Sequence, residues 1–176
     1  AKDNLNPKVW NETKSGFVLD SKIREHLLSI ADNFIEFIKV DIIVDDIILI
    51  GSLANYNWSE FSDFDLHVIV DTEKYGKQEE LYKELFDLKK KVFNDKHNIK
   101  IYGYDVELYA QSSTDEAYSD GVYSVINNEW VHVPKKTHKN IDMSVLKHKI
   151  KNWTDKIDDS IEDAKSTGDG DSLKKL

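Results

Sequence analysis

Apolar residues recur along this chain with two different periods. Residues 19–38 carry them at steps of three and four, the spacing of one helix face, and Asp20 or Ser21 precedes Ile23 as a candidate cap. Residues 77–95 repeat this spacing, and the run Lys89 to Lys91 is placed in the last turn, where the helix dipole favours positive charge. The predicted buried stripes are Ile23, Leu27, Ile30, Phe34 and Ile38 in the first helix, and Leu81, Leu85, Leu88 and Val92 in the second.

Shorter apolar runs predict strands between and after these helices. Residues 45–52 read DDIILIGS, and a continuously apolar run of this length is typical of a strand buried on both faces. Residues 64–71 and 99–110 predict two further strands, and residues 121–134 alternate on both sides of Asn127-Asn128, which predicts a β-hairpin. Residues 141–166 predict a long final helix with an apolar stripe of Met143, Leu146, Ile150, Trp153, Ile157 and Ile161.

Helices and strands that alternate along 176 residues favour an α/β (α+β) fold. We predict a mixed sheet with helices on one face, followed by a C-terminal hairpin and helix. A single domain would cover residues 1–176, with a core at about 20–115, the hairpin and last helix at about 119–165, and a polar tail at 166–176.

Composition and charge narrow the class of protein. A net charge of −9 argues against a general nucleic-acid coat and against binding to an anionic membrane surface. The sequence has no cysteine, so it offers neither a disulfide framework nor a thiolate nucleophile. No apolar run approaches the roughly 20 residues of a bilayer span, and no signal peptide opens the chain. We therefore expect a cytoplasmic protein without a membrane partner.

Acidic residues stand at the start of the second predicted strand. Asp63 and Asp65 are two positions apart, so their side chains point to the same side of the strand, and His67 follows them there. Two carboxylates on one face repel each other and are costly to bury without a positive partner. Because hard divalent cations prefer carboxylate oxygens, this pattern predicts a site for Mg²⁺ or Mn²⁺.

A phosphate site is predicted beside these acids. Gly51-Ser52 follows the first apolar strand, and Leu53 is expected to begin a helix whose backbone N–H groups converge with the Ser52 hydroxyl on an anion. Asn55 lies in the same linker. A cation site next to a phosphate site is the arrangement required for transfer at a nucleotide's phosphate.

The order of these residues resembles a known family. An apolar strand, Gly51-Ser52, a polar linker and then DFDL at residues 63–66 resemble the signature of the nucleotidyltransferase superfamily typified by DNA polymerase β. This resemblance covers residues 47–109. The segments LNPKVW, YGYDVELYAQ and GVYSVINNEW extend a similarity to small nucleotidyltransferases predicted in tailed phages over nearly the whole chain. The resemblance implies a polymerase-β-like core with its acids at one edge of the open sheet face.

The resemblance also implies a third carboxylate on a later strand, which helps to bind the catalytic metal. Asp105 and Glu107 both fit, because each is an acid between apolar neighbours on the same face of the predicted strand. We favour Glu107, which lies between two aliphatic residues, and keep Asp105 as the alternative.

The implied activity is metal-dependent transfer of a nucleoside monophosphate from an NTP to a hydroxyl, with release of pyrophosphate. Asp63 and Asp65 would bridge the metals, and Glu107 or Asp105 would complete the site. Gly51 and Ser52 would hold the β- and γ-phosphates, while Asn55 and His67 would flank the nucleotide. Since lysines are scattered and the net charge is −9, we expect a short acceptor: an RNA 3′ end, a small molecule or a protein hydroxyl.

Two other functions remain open at this stage. One is a nucleotide- or metal-binding module without turnover, as part of a larger phage protein. The other is a toxin- or antitoxin-type nucleotidyltransferase that modifies tRNA or protein, although such proteins usually carry arginines after Gly-Ser where this chain has Leu53-Ala54-Asn55. Alarmone-making pyrophosphokinases are disfavoured as well, because DVELYA at residues 105–110 lacks their cationic residue after the third acid.

Overall fold

A computed structural model describes residues 2–115 and 119–136, which lie within one compact unit, Ala1–Thr137. The C-terminal helix predicted for residues 141–166 and the polar tail lie outside the described residues, and the single-domain boundaries stay a prediction. The helices and strands are β1 (Trp10–Thr13), β2 (Gly16–Leu19), α1 (Ser21–Ile38), β3 (Val44–Ile50), β4 (Phe64–Val70), α2 (Glu79–Lys96), β5 (Lys100–Ile101), β6 (Tyr104–Ser112), β7 (Val122–Ser124) and β8 (Glu129–His132).

Six of these strands form one mixed sheet in the order β5-β6-β4-β3-β7-β8, while β1 and β2 form a separate hairpin. Only β4 and β6 run parallel to each other, and the other neighbouring pairs in the described part of the chain are antiparallel. The predicted mixed sheet and α+β class are thereby confirmed. The parallel pair matters for the site, because it sets residues of β4 and β6 side by side in register.

The first helix forms as predicted. Asp20 caps α1, since its carboxylate accepts hydrogen bonds from the backbone N–H groups of Lys22 at 3.0 Å and Ile23 at 3.2 Å. Burial alone would raise the pKa of Asp20, but the capping bonds, the hydrogen bond from Asn11 and the charge of Lys22 together lower it. Its predicted apolar stripe is buried: Ile23, Leu27, Ile30, Phe34 and Ile38.

The face of the second helix that is buried differs from the predicted one. Phe86 and Phe93 are buried on α2, and the Phe93 ring lies 5.2 Å from that of Phe34 on α1. Leu81, Leu88 and Val92, which were predicted to be buried, are exposed. Aromatic rings bury more apolar area than leucine, so the helix turns its phenylalanines to the core. The helix also continues to Lys96, and the lysines at 89–91 therefore precede its last turn.

A turn divides the strand that was predicted for residues 99–110. Residues 99–110 do not form one strand, because Tyr102 and Gly103 adopt positive φ angles of 49° and 88° and turn the chain between β5 and β6. The β7–β8 hairpin is confirmed, and its turn includes Asn128 at φ 57°. The β1–β2 hairpin was missing from the predicted elements; Trp10 on β1 stacks on Trp130 with ring centres 4.5 Å apart.

Strict alternation along β4 separates the core from the site. Phe64, Leu66, Val68 and Val70 are completely buried on one face of the strand. Asp65 and His67 consequently point to the opposite, partly exposed face. Among the described residues, no helix is long and apolar enough to cross a membrane.

Candidate active site

Three carboxylates meet at one edge of the open sheet face. Asp63 directly precedes β4, Asp65 is the second residue of that strand, and Glu107 lies opposite Asp65 on the parallel strand β6. One oxygen from each of these side chains lies within 4.8 Å of the others. The strand register sets Asp65 beside Glu107, and Asp63 joins them from the position just before β4.

Mutual repulsion makes this cluster unfavourable without a cation. Burial, followed by the negative charges of Asp63 and Glu107, raises the pKa of Asp65 to about 7. Burial also raises the pKa of Asp63, and Glu107 and Asp105 contribute to that rise. Carboxylate oxygens are the ligands that Mg²⁺ and Mn²⁺ prefer, so this donor set fits the predicted metal.

Of the two candidates for the third acid, the structure brings Glu107 to the cluster. Asp105 lies on the same strand face but forms an ion pair with Lys100, with a distance of 2.7 Å between Nζ and Oδ1. Both side chains of this ion pair are about half exposed. Asp105 therefore has a cationic partner of its own, whereas Glu107 faces two other carboxylates.

Glycine at position 51 leaves the space that Asp65 occupies. Gly51 directly follows β3 with φ 76° and ψ −162°, a conformation that residues with a side chain rarely adopt. A Cβ atom at this position would lie 1.7 Å from Oδ2 of Asp65. The backbone of residue 51 thus forms the floor beneath this carboxylate.

The linker after Gly51 differs from the predicted helix start. Ser52–Ala54 form a single 3₁₀ turn, and Asn55 is already extended, so the expected helix N-terminus is wrong. The Ser52 hydroxyl donates to Oγ of Ser62 at 2.7 Å. Asn55 donates through Nδ2 to the Gly51 carbonyl oxygen at 2.6 Å and to Oγ of Ser119 at 3.1 Å. These bonds shape the loop around the acids, and a phosphate-binding role for Ser52 and Asn55 stays a prediction.

His67 lies two residues after Asp65 on β4, so its side chain is on the same face as the acids. Its ring stacks on Tyr109 with centres 4.6 Å apart, and its Nδ1 lies 2.8 Å from Oε1 of Gln111. Burial lowers the pKa of His67; the bond to Gln111 opposes this effect, and the Lys90 ammonium adds to it. The imidazole is therefore a neutral ring at physiological pH.

Tyr109 is a site residue that the sequence analysis missed. Its hydroxyl donates to Oε2 of Glu107 at 2.6 Å, and the Lys90 ammonium lies 4.8 Å from the centre of its ring. Burial, the bond to Glu107 and the surrounding acids raise the pKa of Tyr109, so the hydroxyl stays protonated and donates. The two-residue alternation from Glu107 to Tyr109 and Gln111 was the available signal.

Positive charge near the site comes from lysine. Arg24 is the only arginine in the sequence, and its guanidinium donates to the carbonyl oxygens of Val125 and Ile126, each at 2.7 Å. It thereby fastens α1 to the turn between β7 and β8. Lys90 reaches over the ring of Tyr109 from α2, and the Tyr109 hydroxyl in turn donates to Glu107.

Comparison with known proteins identifies a family for this chain. A family model described as "Nucleotidyltransferase domain" matches residues 31–123, more than half of the chain. The matched segment contains Gly51 and all three clustered carboxylates. No curated protein and no solved structure matches significantly.

Proposed function

This chain belongs to the nucleotidyltransferase domain family, as its residues predict, and we propose that it transfers a nucleoside monophosphate from an NTP to a hydroxyl acceptor. Pyrophosphate is the leaving group of this reaction. The observation that carries the proposal is the convergence of Asp63, Asp65 and Glu107 within 4.8 Å beside the Gly51 backbone.

The three carboxylates are proposed to hold Mg²⁺ or Mn²⁺. When bound, such ions neutralise phosphate oxygens and make the acceptor hydroxyl a better nucleophile. Asp63 and Asp65 would contribute oxygens shared between ions, and Glu107 would complete the set. Burial and the charges of Asp63 and Glu107 oppose ionisation of Asp65. A bound cation would make this ionisation favourable.

The surrounding residues are proposed to keep this set in place. Gly51 leaves the carboxylate of Asp65 free to approach the backbone. Tyr109 occupies Oε2 of Glu107, which leaves Oε1 to a metal or to the proton of the attacking hydroxyl. The strand edge supplies the rigidity that such an arrangement needs.

The acceptor is proposed to be short. A net charge of −9 and three clustered acids oppose a long polyanion, and no arginine among the described residues contacts the acids. An RNA 3′ end, a small molecule or a protein hydroxyl places far fewer phosphates near the acids.

The test uses labelled NTPs with Mg²⁺ or Mn²⁺ and a panel of tRNA, oligonucleotides, small hydroxyl compounds and proteins. Asp63→Asn, Asp65→Asn and Glu107→Gln should abolish transfer, as should removal of metal with EDTA. Asp105→Asn is the matched control, since Asp105 shares the strand face but pairs with Lys100, and it should retain most activity.

Two results would argue against the proposal. Equal labelling by the wild type and Asp63→Asn would refute the assignment of the acids. Metal-dependent NTP binding without pyrophosphate release for every acceptor would favour a binding module without turnover.

A further inference from the structure

Helix α2 carries a second apolar face besides the one that packs in the core. Leu81, Leu88 and Val92 are 62%, 63% and 42% exposed, whereas Phe86 and Phe93 are only 3% exposed. With about 100° of rotation per residue, the exposed residues and the buried phenylalanines lie about a third of a turn apart. We call the exposed face, with the partly exposed Leu85 at its margin, the leucine stripe; its members are Leu81, Leu85, Leu88 and Val92.

The spacing of the leucine stripe is that of a coiled-coil seam. Its members follow one another at steps of four, three and four residues, which place them at alternating core positions of a heptad. A soluble helix that needs only one buried face has no structural use for such a seam. Within residues 2–115 and 119–136 the stripe is left exposed, and its heptad spacing is that of a surface that packs on another helix.

Charge along α2 indicates which partner fits. Its first half carries mainly acids, and its second half carries mainly lysines. A second α2 laid antiparallel would place acids against lysines at both ends. The charged residues are Glu79, Glu80, Glu84 and Asp87 in the first half, and Lys89, Lys90, Lys91 and Lys96 in the second, with Lys83 and Asp95 as the exceptions.

We propose that α2 pairs with α2 of a second copy of this chain in an antiparallel, two-fold symmetric contact. The register follows from the stripe: Leu81 would face Val92 of the partner subunit, and Leu85 would face Leu88 of the partner subunit. The flanking Glu84, which is exposed, would then lie beside Lys91 of the partner subunit. The two-fold axis repeats every contact, so one self-complementary surface suffices.

The contact is small, and this sets its strength. From Leu81 to Val92 the stripe is about 17 Å long at 1.5 Å per residue. An interface of this size lies at the weak end of specific contacts, so we expect a dimer that dissociates on dilution. The proposal concerns association and holds whether or not the site at the sheet edge turns over NTP.

The first test is sedimentation of the full chain over a range of concentrations. The wild type should change from monomer to dimer, and the double variant Leu81→Gln/Leu88→Gln should remain monomeric with an unchanged circular dichroism spectrum. Ile43→Gln is the matched control, because Ile43 is 50% exposed outside the stripe and should leave dimerisation intact. A wild type that stays monomeric at several hundred micromolar, or a double variant that still dimerises, would overturn the proposal.

Charge exchange tests the antiparallel register. Glu84→Lys and Lys91→Glu should each weaken the dimer, because each places like charges across the axis, and the combination of both should restore it. In a parallel pair Lys91 would lie away from Glu84 of the partner subunit. A Lys91→Glu variant that dimerises normally would therefore contradict the arrangement.

Cross-linking supplies a geometric test, since the chain has no native cysteine. In the antiparallel register, two copies of residue 88 lie about 4.5 Å apart along the axis, and two copies of residue 81 lie about 16 Å apart. A short bis-maleimide should link Leu88→Cys into dimers and leave Leu81→Cys largely unlinked. Linkage of both variants would indicate parallel helices and overturn the proposal.

Discussion

Gly51 and Asp65 occupy space that no other residue at position 51 could share, because an added Cβ would lie 1.7 Å from Oδ2 of the carboxylate. The substitution Gly51→Ala must therefore displace Asp65 or the end of β3. We expect loss of nucleotide transfer and a destabilisation of about 1–3 kcal/mol from the unfavourable φ and the clash. Thermal unfolding and the transfer assay measure the two effects.

Gly103→Ala is the control for backbone strain. Gly103 also has a positive φ, 88°, but nothing lies within 4 Å of its added Cβ. This variant should lose stability and keep its activity. Equal activity in Gly51→Ala and the wild type would contradict the role of residue 51 as the floor of the site.

Asp65 should make the stability of the metal-free protein depend on pH. Its pKa in the fold is about 7, above the value of about 4 expected when unfolded. Between these values the folded state binds a proton that the unfolded state has lost, so stability falls as pH rises through this window. Asp65→Asn removes the effect and should raise the melting temperature in EDTA at pH 8. The corresponding gain in the free energy of unfolding is about 1–2 kcal/mol after allowance for solvent screening.

Melting curves in EDTA at pH 4 and pH 8 give the comparison, because the variant's advantage should largely disappear at the lower pH. Mg²⁺ should reduce the same difference at pH 8 by stabilising the wild type. An advantage of Asp65→Asn that is equal at both pH values would argue against a raised pKa at this carboxylate.

Tyr109→Phe should weaken metal binding without unfolding the protein. The variant loses the 2.6 Å bond to Glu107 but keeps the ring between His67 and Lys90. Loss of a hydrogen bond that orients a metal ligand typically lowers affinity about 10–100-fold. Titration with Mn²⁺ in the absence of NTP measures this directly, and Tyr102→Phe, at an exposed turn position, is the control.

The sequence predicts features that arise within one helix or strand better than contacts between separate elements. Period-two alternation puts Asp63 and Asp65 on one face, and Asp105 and Glu107 on one face of a later strand, because this depends only on each strand itself. That Glu107 lies opposite Asp65 depends on the register between β4 and β6. The contact between Gly51 and Asp65 depends on how two strands meet, and no local pattern contains it. The buried face of α2 was predicted wrongly for a related reason, since its two apolar faces look alike until α1 packs against one of them.

The two apolar faces of α2 should differ sharply when each loses a side chain. Phe86→Ala removes a buried ring and should cost about 3–5 kcal/mol, the usual cost of deleting an aromatic residue from a core. Leu88→Ala removes a side chain that is 63% exposed and should change the free energy of unfolding by no more than about 0.5 kcal/mol. Both values should be measured by urea unfolding at low micromolar protein, so that self-association through the leucine stripe does not contribute. Equal losses in the two variants would show that Leu88 is buried in solution, in which case the leucine stripe would be part of the monomer's core and unavailable to a second copy.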